Sequence, residues 1–254
     1  MNLVVCVKHA VDESELRADA AGKPQLLGAQ AKMSTFDRNA VEEAVRIKEA
    51  KTGTVTVVSL GSGDWKKSIK EALAMGCDRA VAVRSAEQQL DALATSYYLS
   101  RAIKHVGQVD LVILSEGASD TYHGLVGPMT AEWLNLPFMG FVRKLELRDG
   151  AVKGEIALEG HEEVAEAALP AVVSVVSEIN SPRYATLLQI MQASKKPMEE
   201  VALESLKGPD APQGGVRVVE IKVQSMSRKR VIFEGNPEES ALKLVEALRK
   251  EGVI

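Results

Sequence analysis

The sequence predicts an α/β fold in which a parallel sheet carries helices on both faces. Three observations point to it. Short, continuous apolar runs recur at Leu3–Val7, Val55–Leu60, Ala80–Val83 and Leu111–Leu114, as in strands that are covered on both sides. Between them lie stretches whose apolar residues recur at helical spacing. The alternation of the two implies right-handed crossovers and hence parallel strands. A chain of 254 residues buries one substantial core plus an arm or small second lobe.

Leu3–Val7 reads as the first strand; Lys8 and His9 interrupt it, and it is too short for a secretory segment or a membrane span. The Gly- and Pro-bearing stretch 19–28 reads as a hairpin or loop. Ser34, three residues before Asp37, makes an acidic variant of the capping box. Phe36, Ala40, Val41, Ala44, Val45 and Ile47 then follow a helical period, with Glu42 and Arg46 paired on an exposed face. Gly53 ends that helix. Asp64 caps a second helix that runs to Met75 and stops at Gly76. A third runs from about Asp91 to Val106, and a fourth opens near Gly127.

The pattern changes after Pro137. Arg143–Leu147 and Val152–Leu158 flank an Asp149-Gly150 turn and read as a hairpin. Pro170–Val176 is a further strand, Ser181–Tyr184 a loop, and Thr186–Ala193 a short helix. Residues 208–215 read as a linker. Beyond it come a strand over Val216–Val223, a basic knot at Arg228–Arg230 and a last helix opening at Asn236-Pro237, where cap, proline and acids all suit a helix start. The expected division is therefore 1–207 and 208–254.

Composition narrows the function. Hydrophobic residues at 46% and charged residues at 26% suit a soluble globular protein. A net charge of -4 gives no reason to expect nucleic acid, and 4% aromatics give few stacking platforms for single strands. Cys6 and Cys77 have no CxxC spacing, which favours a reducing, cytoplasm-like compartment. His9, His105, His123 and His161 lack zinc-like spacing, so no metal is expected. There is no G-x-S-x-G elbow, Walker A loop or G-x-G-x-x-G. The acids between Asp149 and Glu166 read as a solvated hairpin, Lys195-Lys196 as a solvated charge pair. No residue set is assigned a catalytic role.

In parallel sheets ligands lie beyond the carboxyl ends of the strands, which draws attention to Lys8–Asp12, Gly61–Asp64 and Ser115–Pro128. The Ser115–Thr121 loop offers small residues, hydroxyls and backbone N–H groups near a helix start, and these suit a phosphate or ribose. The same residues suit a solvated loop capped by Asp or Ser. His9 and His123 fall in strand-end loops and read either as ligand neighbours or as surface histidines.

The stretch 169–197 holds a strand, then Asn180-Ser-Pro-Arg-Tyr184, then Thr186-Leu-Leu-Gln-Ile-Met191, then Lys195-Lys-Pro197. It closely resembles the hallmark of electron-transfer flavoprotein β subunits. Val7-Lys8, the helix 40–49 and Ala72-Leu-Ala-Met-Gly-Cys-Asp-Arg79 agree with that family in order and spacing. The resemblance spans the chain from about Asn2 to the last helix. It implies an adenine-nucleotide-binding, Rossmann-like three-layer α/β fold with a β-hairpin addition and a C-terminal arm that packs on a larger α subunit. It also implies a heterodimer whose α subunit holds most of a redox-active FAD, while the β subunit holds AMP, or a second FAD in electron-bifurcating members.

Carried over by position, the resemblance implies nucleotide contacts at Cys6, Lys8, Ser34, Phe36, Asp37, Leu60, Gly61, Ser115, Ala118, Ser119, Asp120, Thr121, Gly124, Val126, Gly127 and Thr130. Glu116 and Gly117 depart from the family's usual loop, and Glu13 stands where simple carriers often have a tyrosine. Val126-Gly-Pro128 is closer to some bifurcating members. The family's short helix presents a leucine to partner dehydrogenases, here Leu187, with Ile190 and Met191 beside it. Leu187, Leu188, Ile190 and Met191 give this helix more apolar surface than one core-facing stripe needs; the opposing expectation is that all four pack inward. The expected partners are thus the α subunit, dehydrogenases and an acceptor oxidoreductase, with no nucleic acid and no membrane span. A stand-alone nucleotide-binding regulatory module would explain the first half but leave 180–197 and 208–254 without a purpose. An ATP-using ligase would need a phosphate-gripping loop after strand one, and 8–12 has no glycine or serine.

Overall fold

A computed structural model of the chain describes residues 1–254 apart from 16, 20–22, 26–29, 87–89, 213, 217 and 222–228. In chain order the elements are β1 (Asn2–Cys6), β2 (His9–Val11), β3 (Arg17–Ala18), β4 (Pro24–Gln25), β5 (Ala31–Met33), α1 (Thr35–Lys51), β6 (Thr54–Gly61), α2 (Lys66–Met75), β7 (Arg79–Arg84) and α3 (Ala92–Val106). There follow β8 (Leu111–Ser115), α4 (Val126–Leu134), β9 (Phe138–Arg148), β10 (Ala151–Leu158), β11 (His161–Ala168), β12 (Ala171–Val175), α5 (Leu187–Ala193), β13 (Met198–Ala202) and α6 (Pro237–Lys250).

Nine of these strands form one sheet in the order β11-β10-β9-β12-β8-β1-β6-β7-β13. Every pairing from β9 to β13 is parallel, and β9-β10-β11 is an antiparallel meander. The α/β expectation holds. Alternate residues of β1 serve the two faces, as a pleated strand requires. Leu3, Val5 and Val7 join one apolar layer with α1 and α2, while Val4 and Cys6 join the other with α3. The Asp149-Gly150 hairpin forms as expected, with Arg148 paired to Ala151 and Gly150 at φ 73°.

Several expectations need correction. The acids of 161–166 do lie on a solvated hairpin, β10–β11, but its second strand is a third meander strand that sequence alone hid, because a solvated edge strand reads as polar. β13 went unforeseen for the same reason, since Glu199 and Glu200 are exposed on an edge. The expected strand over 216–223 is not formed at its described residues 216 and 218–221. β-propensity needs a neighbouring strand for its ladder, and no described strand supplies one here. α1 ends at Lys51 with Thr52 at φ 55°, so Gly53 does not end it. A Cβ on Gly53 would sit 2.5 Å from the Met1 carbonyl oxygen, and the glycine lets those two backbones pass.

The chain divides into two compact units, residues 1–17 with 25–220, and residues 18–24 with 221–254. In the second, Asp19 N–H donates to Lys23 O at 2.9 Å. This unit also contains α6, whose Asn236 side chain accepts from Glu239 N–H at 2.9 Å, as the sequence predicted. Leu242, Leu244 and Val245 on α6 are exposed.

Candidate functional site

The connections from β1 run to β6 and β7 on one side of the sheet, and those after β7 run to β8 and β12 on the other. The sheet order therefore reverses at β1, and the crevice beyond the ends of β1 and β8 is the switch point at which open α/β sheets bind ligands. Three segments converge there: Lys8 leaving β1, Ser34–Asp37 entering α1, and Ser115–Leu125 between β8 and α4.

Asp37 joins the three. Its carboxylate is 4% exposed; it accepts from Lys8 N–H at 2.6 Å and from Ser115 Oγ. Burial pushes its pKa up to about 7; the bonds from Ser115 and Lys8 oppose that rise and Asp120 adds to it. Ser115 Oγ also lies 2.9 Å from Gly117 O. One hydroxyl proton cannot serve two acceptors, but a protonated Asp37 donating to Ser115 would leave Ser115 free to donate to Gly117.

The expected capping box does not form, because both of its side chains are used elsewhere. Ser34 makes no side-chain cap bond and instead accepts from Ser119 N–H at 3.2 Å. Asp37 is drawn to Lys8 and Ser115. Across the crevice Lys8 Nζ pairs with Asp120 at 2.6 Å and donates to Thr121 Oγ1 at 3.3 Å. Tyr122 packs edge-on against Phe36, with ring centroids 5.6 Å apart, and its hydroxyl donates to Glu116 Oε2 at 2.7 Å. That bond to a carboxylate, with burial, pushes the Tyr122 phenol up to about 12. Glu116, whose charge would oppose a phosphate, is thereby engaged by a hydroxyl.

Like Ser59 Oγ on β6, two hydroxyl oxygens of this region, Ser119 Oγ and Thr130 Oγ1, are buried without a hydrogen-bond partner among the described residues. Buried polar atoms normally find one, and these belong to the loop and to α4, where the first-turn amides at Val126 and Gly127 also lack intrahelical acceptors. Orphaned hydroxyls, helix-start amides and Lys8 together fit the phosphate or ribose of a nucleotide.

Cys6 turns its thiol into the core, where burial and then Asp37 push it up to about 12, so only its backbone is left for a ligand. Leu60 and Gly61 end β6, on the far side of β1 from β8. A Cβ on Gly61 would lie 2.9 Å from Trp65, so packing alone demands glycine there. Ala118 O accepts from Thr121 N–H at 3.3 Å and Tyr122 N–H at 2.8 Å, shaping the loop, and Gly124 takes φ 66°. His9 faces α2, its Nδ1 2.8 Å from Ser68 Oγ, and burial lowers its pKa. His123 is exposed. Sequence reasoning missed a cleft of about 460 Å³ beside the loop, with Glu116, Tyr122, Phe141 and Arg143 among its walls. Phe141 sits at φ 55°, beside an irregularity in the β9–β12 register, which no sequence pattern announces.

A second feature lies on the same unit. Residues 177–183 dock on α1: Asn39 Nδ2 donates to Ser177 O at 2.9 Å and Asn180 O at 2.8 Å, and Asn180 Nδ2 donates to Glu43 Oε2 at 3.0 Å. Arg183 Nε donates to Glu42 Oε2 at 2.8 Å, and its Nη1 to Glu49 Oε1 at 2.6 Å. The expected Glu42–Arg46 pair forms, Arg46 Nε donating to Glu42 Oε1 at 2.9 Å, but Glu42 is 3% exposed rather than on a surface face; the burying residue, Arg183, lies 141 positions away. Lys196, expected to be solvated, is half-buried and donates to Leu73 O at 2.7 Å and Cys77 O at 2.6 Å. Thr186 and Gln189 form a reciprocal capping box at the start of α5. Leu187 is 74% exposed, and Leu188, Ile190 and Met191 are also exposed, so the expectation of inward packing fails.

Among the described residues no group of three or more His, Cys, Asp or Glu could hold a metal ion, and no helix is long and apolar enough to cross a membrane. A family profile described as "Electron transfer flavoprotein domain" matches residues 27–206. "Electron transfer flavoprotein subunit beta" of Bacillus subtilis (strain 168) is 33% identical over 258 residues, covering 100% of both chains. The proteins of the same name from Thermoanaerobacterium thermosaccharolyticum and Clostridium acetobutylicum are 34% and 33% identical, again over 100% of both chains.

Proposed function

We infer the function from one fact: this chain belongs to the electron transfer flavoprotein family, among its β subunits. We propose that it pairs with a larger α subunit to form a heterodimeric electron carrier. The α subunit holds most of a redox-active FAD near the interface, and this chain holds an adenine nucleotide, either AMP or a second FAD. The nucleotide half of the reading is supported by the polar cradle at the switch point, with its two partnerless hydroxyls, Ser119 Oγ and Thr130 Oγ1. Lys8, Thr121 and Thr130 would meet the ligand by side chain, and the loop and α4 by backbone N–H. Flavin, when bound, supplies the electron chemistry; this chain's residues place and shield it. No bond chemistry is assigned to the chain itself.

Leu187, Ile190 and Met191 are the proposed anchor for the dehydrogenases and acceptor oxidoreductase with which the carrier exchanges electrons. Val126-Gly-Pro128 supports a second FAD and thus the bifurcating class. The two free cysteines are buried with thiols pushed up to about 12 by burial, in keeping with a cytoplasmic setting. A stand-alone regulatory module leaves the exposed apolar residues of α5 and α6 unused. Co-expression with an α subunit from the same source tests the pairing. A 1:1 complex with flavin absorbance is expected, whereas a soluble monomer that binds flavin fully without a partner would exclude the reading.

A further inference from the structure

We propose that Arg183 and Lys196 are positioning residues that clamp the two ends of α5 to the sheet-covering helices, so that α5 stands as a preformed outward anchor. The inference rests on the docking role proposed for α5.

An isolated helix of seven residues does not persist in water, because nucleation is unfavourable and few bonds follow it. α5 spans seven residues, Leu187–Ala193, and turns Leu187, Leu188, Ile190 and Met191 to solvent. Its core contact is confined to Ala193, which is buried, and to Ala185 just before it. α5 also lies against α2, but burial of two alanines is small, so its ends carry much of the hold.

The ends are held by cations in different ways. On the leading side Arg183 reaches two carboxylates with five bonds. Its backbone N–H donates to Glu42 at 3.1 Å, Nε and Nη2 donate to Glu42 at 2.8 and 3.2 Å, and Nη1 and Nη2 donate to Glu49 at 2.6 and 3.0 Å. The fork geometry fixes orientation as well as position. On the trailing side Lys196 Nζ donates to Leu73 O and Cys77 O at the carboxyl end of α2, where a cation also suits the helix dipole. Gly76 N–H already serves Ala72 O and Leu73 O, so Lys196 completes a helix end while tethering the segment. Both clamps lie outside the nucleotide crevice. Losing either should loosen α5 and leave the nucleotide in place.

The test uses the full heterodimer and the dehydrogenase purified from the source cells as the one that reduces it. Arg183→Gln and Lys196→Met should each raise the KM for the carrier about five- to ten-fold, the range expected when a few side chains must be ordered on binding. The limiting rate and nucleotide content should stay at the wild-type level. Hydrogen exchange should quicken across 184–195 alone, and Arg183→Lys should recover part of the loss. Glu49→Gln removes only the exposed half of the leading clamp, should act more weakly in the same direction, and decides the matter if Arg183→Gln does not fold. Leu187→Ala separates the two claims. A normal KM in that variant would overturn the docking role of α5. A raised KM there with a normal KM in Arg183→Gln, Lys196→Met and Glu49→Gln would overturn the clamp alone.

Discussion

Two carboxylates on α1, Asp37 and Glu42, are almost equally hidden, at 4% and 3% exposure, yet their pKa values are shifted in opposite directions. Burial raises both. For Asp37 it prevails, because the groups facing the carboxylate are a backbone N–H and a hydroxyl, while Lys8 Nζ is committed to Asp120. For Glu42 the bonds from Arg183, with Arg46 behind them, outweigh burial and hold the acid below its ordinary value. The contrast separates the proposed binding site from a finished joint. Around Asp37 polar atoms are hidden with bonds left over, and around Glu42 a cation satisfies each one.

The largest effect that would break this contrast is in pH dependence. Asp37 is raised from 3.8 to about 7 on folding. Its contribution to stability is therefore fully present below about pH 4 and is lost as pH rises through 7. Glu42 is lowered from 4.5, so its contribution is present above that value and lost as pH falls below it. Relative to wild type, Asp37→Asn should gain on the order of 3 kcal/mol between pH 4 and pH 8. Glu42→Gln should lose about 3 kcal/mol at pH 8 and approach wild type as pH falls through the acid range. Urea unfolding of the subunit at several pH values reads both. Parallel curves for the two variants would show that the two acids are alike.

Next in size is Leu187→Ala. A leucine in an apolar partner pocket contributes roughly 1.5–3 kcal/mol, so electron transfer at limiting partner should fall about ten-fold or more. The flavin spectrum and the heterodimer should be unchanged. Unfolding or flavin release with normal partner affinity per folded molecule would make Leu187 a core residue.

The smallest expected effect sharpens the site. Thr130→Val removes an orphaned buried hydroxyl, so the nucleotide-free subunit should be stabilised by about 1 kcal/mol, while nucleotide binding weakens by a similar amount. Thermal melts with and without added AMP separate the two. Weakening of the free subunit would mean that Thr130 Oγ1 serves the fold.

Much of this was legible in the sequence for a physical reason. Buried parallel strands must be apolar throughout, so β1, β6, β7 and β8 announced themselves, and Asp91, Thr186 and Asn236 cap helices from a local position. What stayed hidden depends on distant partners. Nothing near Glu42 signals Arg183, and nothing near Lys196 signals the end of α2. The Ser34–Asp37 pattern suggested a local cap because the competing acceptors and donors, Lys8, Ser115 and Ser119, come from other segments. The edge strands β11 and β13 were masked by their solvated, acidic faces. The position of the site followed from the order of strands and helices, but the exchange of bonds within it required the folded chain.

In the proposed heterodimer the crevice between β1 and β8 holds an adenine nucleotide besides the flavin held mainly by the α subunit. Nucleotide extraction from the folded, co-expressed heterodimer measures this directly. One flavin plus one AMP per heterodimer, or two flavins, is expected. One flavin with no second nucleotide would contradict it.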